Sequence, residues 1–509
     1  MSSNTTVSRM TNYRWAITSL LFFSVAINYM DRQVLSLTWK DFIAPEFHWT
    51  NNDYGTITGL FSIFYAICLL FAGRFVDWID TRKGFLWAIG IWSAGAVLHA
   101  FCGIATSGIT TGNWFVGFEE ARRIIGTVHD IGVVTSVSVT LFIFARFVLA
   151  LGEAGNFPAA IKTTAEFFPK KDRAFSTSIF NSGAQIGALI APITIPAIAA
   201  RYGWEMAFLV IGAIGFIWMG FWIFMYKKPH EHPRVNQAEL DYINADIIEE
   251  TKANNNMARE EKKIPFMKTF GYRQTWAFAF GKFMTDGVWW FYLFWTPAYL
   301  SDVYGLTSDT TMAKTLIFVL YAIVMLSIIG GWLPKYFVDK LGMNPYSGRM
   351  RAMLIFAFFP LLALLAQPLG HTSYWFPVII IGIAGAAHQA WSANLFSTIG
   401  DMFPKSAIAT VTGIGGMAGG IGAFIINKGS GTLFDFASGT TMVDGQASVM
   451  TKELLASGAQ YLTGPMKFFG FEGIRAGYFI VFCICAVAYL IGWVVMKMLV
   501  PKYKPIVVE

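Results

Sequence analysis

Apolar runs about as long as a membrane is thick recur along this chain, and they constrain its fold more than any other feature. A helix crossing the hydrocarbon core needs about 20 mostly apolar residues. Candidate spans of that kind read at 15–38, 56–76, 84–104, 136–164, 174–200 and 205–226. A polar stretch rich in Lys, Glu and Asn follows at 227–272, and six further spans read at 273–300, 312–334, 349–368, 375–398, 406–428 and 474–498. In lipid every backbone polar group must be satisfied within its own segment, so such runs fold as helices. The expected fold is an all-α polytopic membrane protein of twelve transmembrane helices. They form an N-terminal six-helix bundle at 1–226 and a C-terminal one at 273–509, joined by a cytoplasmic linker at 227–272. Only 14% of the 509 residues are charged, where a soluble domain carries roughly 25%.

Basic residues orient the spans. Arg82 and Lys83 follow the second span, Lys170, Lys171 and Arg173 the fourth, and Lys227 and Lys228 the sixth. Lys335, Lys340, Arg349 and Arg351 follow the eighth, Lys405 the tenth, and Lys497, Lys502 and Lys504 close the chain. The positive-inside rule puts all of them, and both termini, in the cytoplasm of a cell whose inner membrane holds the protein. Net charge is +7, but no basic patch stands out, which argues against nucleic acid as a partner. The four cysteines, at 68, 102, 483 and 485, lie in apolar runs without metal-ligand spacing and read as packing. The first apolar run lacks a small-residue cleavage site and is long enough to span, so no cleavable signal is expected. Two loops on the other side, 105–135 and 429–473, are long and carry mixed charge without an evident role.

The chain also repeats itself. Residues 166–190, EFFPKKDRAFSTSIFNSGAQIGALI, align without a gap on 401–425, DMFPKSAIATVTGIGGMAGGIGAFI, at an offset of 235. Phe168/Phe403, Pro169/Pro404, Lys170/Lys405, Ala174/Ala409, Thr177/Thr412, Ile186/Ile421, Gly187/Gly422 and Ala188/Ala423 match. Loop and helix match together, which makes the two bundles pseudosymmetric. Parallel repeats of this kind build transporters whose substrate site lies near the midplane between halves.

Charges inside spans are costly, about 2.5–3.5 kcal/mol each on insertion scales, and therefore mark function or pairing. They are few here: Asp31 and Arg32, Arg146 and Glu153, Lys282 and Asp286, with His388 in the tenth span. Arg146 and Glu153 are two turns apart and share a helix face. They read as a proton-coupling carboxylate tuned by an arginine, or as a static ion pair. Asp31 and Arg32 point about 100° apart, with Asn28 one turn before. That separation suggests Arg32 for a substrate anion and Asp31 for a titrating network, or a pair that locks two helices. Lys282 and Asp286, at i and i+4, neutralise each other and read as structural. The repeat carries Glu153 onto His388. That histidine binds substrate hydroxyls, joins the proton path or is a satisfied interior group. Around it stand Gln389, Trp391, Ser392 and Asn394. Amides and hydroxyls beside an aromatic suit a sugar. Asn181 and Gln185, Tyr65, and Trp289, Trp290 and Tyr292 extend this candidate lining.

The loop after the second span, GRFVDWIDTRKG at 73–84, resembles the loop motif of the major facilitator superfamily, with an insertion of Trp-Ile-Asp-Thr in the pattern. The resemblance implies the major facilitator fold and a gating role for Gly73, Asp77, Arg82 and Lys83. The second copy, GGWLPKYFVDKLG, is more degraded. NYMDR, RFVLALGEAGNFPAAIK, NSGAQIG and KFMTDGVWWFYLFWTPAYL resemble the anion:cation symporter family, and GAAHQAWSANL its hexuronate branch. This resemblance covers nearly the whole chain. It implies uptake of an organic anion with protons, with Asp31 and Glu153 carrying protons. Arg32 and Arg146 then handle the anion or tune the carboxylate, and Tyr65 and Gln185 touch substrate. An Asn of some sugar-acid carriers falls at Gly416 here.

The sequence therefore reads as a proton-coupled symporter for a sugar-acid monoanion, a hexuronate such as glucuronate or galacturonate. The expected substrate-binding set is Asn28, Arg32, Tyr65, Arg146, Gln185, Trp289, His388, Gln389, Trp391 and Asn394. The proton gradient is the energy source, with no cofactor and no metal, and the protein is expected to act as a monomer in the bilayer. An exchanger or facilitator on the same fold, or a receptor that binds sugar acids without moving them, are the alternatives. No nucleophile–base set marks an enzyme.

Overall fold

The computed structural model describes residues 10–245, 265–443 and 446–506; the middle of the linker at 227–272 lies outside them. Twelve long helical segments run up and down. In the first half they are α1 (Tyr13–Thr38), α2 (Asn51–Ile79), α3 (Thr81–Ala100), α4 (Ile131–Phe167), α5 (Lys170–Tyr202) and α6 (Trp204–Met225). In the second half they are α7 (Arg273–Tyr304), α8 (Thr311–Leu341), α9 (Pro345–Gly370), α10 (Trp375–Met402), α11 (Lys405–Ser438) and α12 (Ile474–Leu499). α8 and α9 each pass through a 3₁₀ stretch, Met325–Ile328 and Phe359–Leu365. α3 continues after a 51° bend as Cys102–Thr111. Among the described residues nine helices are long and apolar enough to cross a membrane, ten counting the bent pair. The remaining two, α1 and α7, carry Asp31 with Arg32 and Lys282 with Asp286 in mid-helix. α4, which carries Arg146 and Glu153, is apolar enough to pass all the same.

The first and last described segments, around Tyr13 and Ile506, lie at one end, called proximal here. Tyr13 donates its hydroxyl to Met225 O (2.9 Å), and the N–H of Ile506 donates to Met402 O (2.8 Å). A short linker helix, Gln237–Ile243, docks there: Glu239 accepts from Arg14 (3.0 Å) and from the backbone N–H of Tyr13 (3.1 Å).

The internal repeat is visible in the backbone. α4 ends where the N–H of Phe168 donates to Thr164 O at 3.0 Å, and α10 ends where that of Phe403 donates to Ile399 O at 2.8 Å. Pro169 then starts α5 at φ −62° and ψ 155°, and Pro404 starts α11 at φ −63° and ψ 152°. Proline fixes φ and pushes its predecessor out of the helical region, so each Phe-Pro pair stops one helix and starts the next. Gly187 and Gly422, the matched glycines, do matching work. A Cβ on Gly187 would sit 2.3 Å from Ala26 O, and one on Gly422 would sit 2.1 Å from Phe283 O. Backbone contact of α5 with α1, and of α11 with α7, is therefore possible only without a side chain.

The halves meet chiefly along α2 and α11, with smaller contacts of α5 with α8 and α1 with α7. The interhalf hydrogen bonds and ion pairs described here all join the distal ends. α1 unwinds there into a π-turn, Trp39–Ile43, and a short helix, Ala44–Phe47, before Thr50 and Asp53 cap α2 with a reciprocal capping box. Lys40 pairs with Asp302 at the end of α7 (2.8 Å), and Asp41 accepts from Ser301 (2.6 Å) and from the N–H of Ser308 (2.7 Å). Asp435 of α11 accepts from the backbone N–H groups of Asn51 (3.0 Å) and Asn52 (2.7 Å), where the helix dipole of α2 favours an anion. Lys428 donates to Asn52 (2.5 Å) and Thr56 (2.7 Å). Beneath this latch Trp39, Tyr54 and Trp295 pack with no exposure at all, Trp39 stacked on Tyr54 at 3.9 Å.

Both long distal loops contain regular secondary structure. Helix α11 runs to Ser438, ten residues past its expected end at 428, because Asp435 must reach α2. A three-stranded antiparallel sheet (Thr440–Val443, Gln446–Val449, Tyr461–Thr463) and a small hairpin (Lys467–Phe468 with Phe471–Glu472) follow. Region 105–135 contains a helix, Phe118–Ile125.

Candidate functional site

The sequence placed four charges in α1 and α4, and the structure buries all of them: Asp31 is 1% exposed, Arg32 6%, Arg146 2% and Glu153 1%. Their pairing corrects the same-helix expectation. Glu153 is hydrogen-bonded to Arg32, not to Arg146: Arg32 donates through Nη2 (2.7 Å) and Nε (3.1 Å) to Glu153 Oε2. Position along α4 put Arg146 and Glu153 on one face two turns apart, but it is Arg32, from α1, that reaches the Glu153 carboxylate. The opposite charges acting on Arg146 are those of Asp31 and Glu153, without a hydrogen bond to either. The result is a crossed quartet of two cations and two anions. Arg32 is therefore committed to a carboxylate in this arrangement, a contact that locks α1 to α4 and that the sequence allowed as the alternative to a role toward a substrate anion.

Aromatic faces complete the cradle. The Arg32 guanidinium lies 4.7 Å from the ring centre of Tyr65 on α2, 5.4 Å from Tyr29 and 5.3 Å from Trp290. Trp290 belongs to α7, so the second half reaches across to the charge cluster through this ring. Sequence reasoning mentioned Trp290 but gave the binding role to its neighbour Trp289. The i,i+1 ambiguity of a Trp-Trp pair, whose rings point about 100° apart, carries no signal for choosing. Arg146 lies over the ring of Phe61, 5.2 Å from its centre.

Several polar atoms of this cluster are buried with no hydrogen-bond partner among the described residues: both oxygens of Asp31, Oε1 of Glu153, Nε and Nη1 of Arg146 and Nδ2 of Asn28. Buried polar groups are nearly always satisfied, and a concentration of exceptions marks a site whose partners are not the protein itself. Protons and a small anionic, hydroxyl-bearing solute are the chemistry this set can serve.

The second half is arranged differently. His388, at the position matching Glu153, is 4% exposed; its Nδ1 is 2.8 Å from the hydroxyl of Tyr489 on α12, and its ring stacks on Trp289 at 5.4 Å. His388 and Trp289 are thus brought together, but apart from the charge quartet. Trp391 is fully buried and packs edge-on against Tyr489 at 5.6 Å. Asn394 donates through Nδ2 to Gly330 O and Ala390 O, both at 2.8 Å, and ties α8 to α10. These contacts give Trp391 and Asn394 packing work inside the second half rather than a place beside the quartet. Gln185 and Gln389 are half-buried and make no side-chain hydrogen bond among the described residues. Lys282 and Asp286 pair along α7 at 2.6 Å.

Of the expected gating residues, Gly73 and Asp77 lie outside those whose side chains are described. Arg82 donates to Ile223 O at the end of α6 (2.9 Å), and Lys83 is exposed. The loop is braced beside them: Thr81 donates to Glu166 at 2.5 Å, and Tyr226 hydrogen-bonds the same carboxylate.

Comparison with known proteins adds to this geometry. The sequence profile of the Major Facilitator Superfamily matches residues 21–426. The chain is 26% identical over 425 residues to the hexuronate transporter of Escherichia coli K12, covering 83% of this chain and 88% of that protein. It is 24% identical over 331 residues to the galacturonate transporter of Dickeya chrysanthemi, covering 65% and 84%. Its fold is similar to that of a bacterial homologue of the human lysosomal transporter Spinster, crystallised inward-facing and occupied, with a TM-score of 0.66 at 17% identity over 97% of this chain and 98% of that one.

Proposed function

Because this chain belongs to the Major Facilitator Superfamily, a family of multi-pass membrane transporters rather than enzymes, we propose that it is a proton-coupled symporter importing a sugar-acid monoanion, a hexuronate such as glucuronate or galacturonate. The observation that carries the reading is the buried quartet of Asp31, Arg32, Arg146 and Glu153 with its unpartnered polar atoms. The names of its relatives, transporters of hexuronate and galacturonate, support the substrate class.

The quartet links anion to proton by charge balance. Two cations and two carboxylates sum to zero. A monoanion and one proton together leave that sum unchanged, whereas the anion alone would leave a net charge buried, which costs several kcal/mol. Protonation of Glu153 releases Arg32, whose planar fork then takes the substrate carboxylate in its place. Asp31, under the charge of Arg146, is the other carboxylate that can carry this proton. Tyr65 and Trp290 hold the guanidinium, and Trp289 and His388 offer a stacking face and a ring nitrogen to the sugar hydroxyls. With the charges neutralised, the halves rock. The ligand drives this only through its different affinity for the two states. The proximal face, with its basic residues, is placed in the cytoplasm and the distal face outside. The protein acts as a monomer in the inner membrane and uses no cofactor beyond the gradient.

A competition panel in proteoliposomes tests the substrate. Unlabelled glucuronate and galacturonate should suppress uptake of labelled glucuronate at the lowest concentrations, with neutral glucose ineffective. Binding without flux, or stronger competition by anions that are not sugar acids, overturns the reading.

A further inference from the structure

A second group of charges, two buried carboxylates around a part-exposed arginine, stands at the distal end. Glu46 sits in the short helix Ala44–Phe47 between α1 and α2, its side chain 5% exposed. Its Oε2 accepts from Trp204 Nε1 (2.7 Å) at the start of α6 and from Arg122 Nε (3.1 Å) in the helix Phe118–Ile125. The same guanidinium donates through Nη2 to both oxygens of Glu205, each at 2.9 Å. Glu46 Oε1 is buried with no hydrogen-bond partner among the described residues. Two carboxylates therefore share one cation, and one carboxylate oxygen has nothing to accept from. Arg122, Glu205 and Trp204 are the groups that act on Glu46; on the same connector, partial burial holds the His48 imidazole below its ordinary range.

The position of this clamp gives it a consequence. The connector that carries Glu46 carries Lys40 and Asp41 a few residues earlier, on the π-turn Trp39–Ile43. Those two residues make the latch to Asp302, Ser301 and Ser308 of the second half. π-Turns are frequent at functional sites and rare elsewhere. One side of the connector is thus clamped to the first half by Glu46, and the other side latches the two halves together.

We infer that the Glu46–Arg122–Glu205 clamp is a proton-binding site that sets the distal latch: with its proton, Glu46 stays packed and keeps Lys40 and Asp41 in the sealed arrangement. The direction follows from linkage. Burial, opposed by the Trp204 bond and the charge of Arg122, raises the Glu46 carboxyl from its ordinary 4.5 to about 7. A carboxyl that binds its proton more tightly when packed than when solvated favours the packed state at low pH. That preference is lost as pH rises through about 7. Acid on the distal side therefore closes the distal gate, and removal of the proton frees it. The inference rests on reading the distal end as one gate of an alternating-access transporter.

The test measures the distance between spin labels on the exposed distal residues Ser136 of α4 and Thr311 of α8, with the full chain in lipid nanodiscs. It is made in the background Asp31→Asn with Glu153→Gln, where the central carboxylates cannot titrate. The short distance should dominate at about pH 5.5 and give way to a longer one by about pH 8.5, with a midpoint near neutrality. Adding Glu46→Gln should remove the pH dependence and keep the short distance throughout. Arg122→Gln should move the midpoint up by about one pH unit, since a countercharge is lost; a merely structural arginine would not shift it. A distance indifferent to pH in the double variant overturns the inference, as does an unchanged midpoint after Glu46→Gln. Neither result touches the sugar-acid reading, which stands or falls on flux.

Discussion

The two halves share a scaffold and differ in chemistry. α4–α5 and α10–α11 turn at matching Phe-Pro pairs, and Gly187 and Gly422 let each second helix touch its neighbour's backbone. On that common frame the first half gathers four buried charges with unpartnered atoms. The second half has a histidine bonded to Tyr489, an asparagine satisfied by two carbonyls, and a Lys282–Asp286 pair that cancels along one helix. A duplicated fold conserves geometry at the helix ends, where backbone demands are strict, and leaves the midplane side chains free to specialise. The first half is built to hold charge, the second to shape and cover what is held.

Substitutions should expose this asymmetry, most strongly in the first half. Arg32→Ala leaves Glu153 buried without its partner, a loss of about 3–5 kcal/mol; substrate binding should fall by at least roughly 100-fold, measured as equilibrium binding to protein in detergent. A mild effect would hand the anion to Arg146. Next, Trp290→Leu removes a desolvated cation–π contact of about 2 kcal/mol, so apparent affinity for the sugar acid should weaken roughly 10- to 30-fold while folding is preserved. Trp289→Leu, in contrast, should act through His388 and weaken affinity less. His388→Phe loses one neutral hydrogen bond, about 1 kcal/mol. It should raise KM roughly fivefold and leave proton-driven accumulation intact; loss of accumulation would make His388 a proton carrier and dissolve the contrast. The smallest effect on transport belongs to Asn394→Ala. It should lower stability by about 1–2 kcal/mol by leaving Gly330 O, whose helical donor position is Pro334, without a partner, seen as a lower thermal midpoint with KM unchanged.

The sequence made one class of feature plain and hid another. Asp31, Arg32, Arg146 and Glu153 stood out because a charge in an apolar run is expensive wherever the chain takes it, a property of each position alone. The Phe-Pro turns were legible for the same reason, since proline acts on its own backbone. Partners were not legible. Arg32 meets Glu153 across 121 positions and Asp435 meets Asn51 across 384, and no local spacing encodes a contact between helices. Position within α4 put Arg146 within electrostatic reach of Glu153, as it is, but the hydrogen bonds come from Arg32 on α1. The strands between Thr440 and Glu472 are two to four residues long, too short for a period-two pattern to register. Asp435 was placed in a loop because its helix turns polar just where it leaves the lipid to reach the other half.

The central claim is that the quartet exchanges one carboxylate for another at Arg32 and needs a proton to do so. Accumulation of labelled glucuronate in proteoliposomes with acid outside, compared with counterflow at equal pH, tests it most directly in Asp31→Asn and Glu153→Gln. The account predicts that wild-type accumulation collapses with a protonophore. It also predicts that both variants lose accumulation while at least one retains counterflow. Normal gradient-driven accumulation in both variants would contradict it.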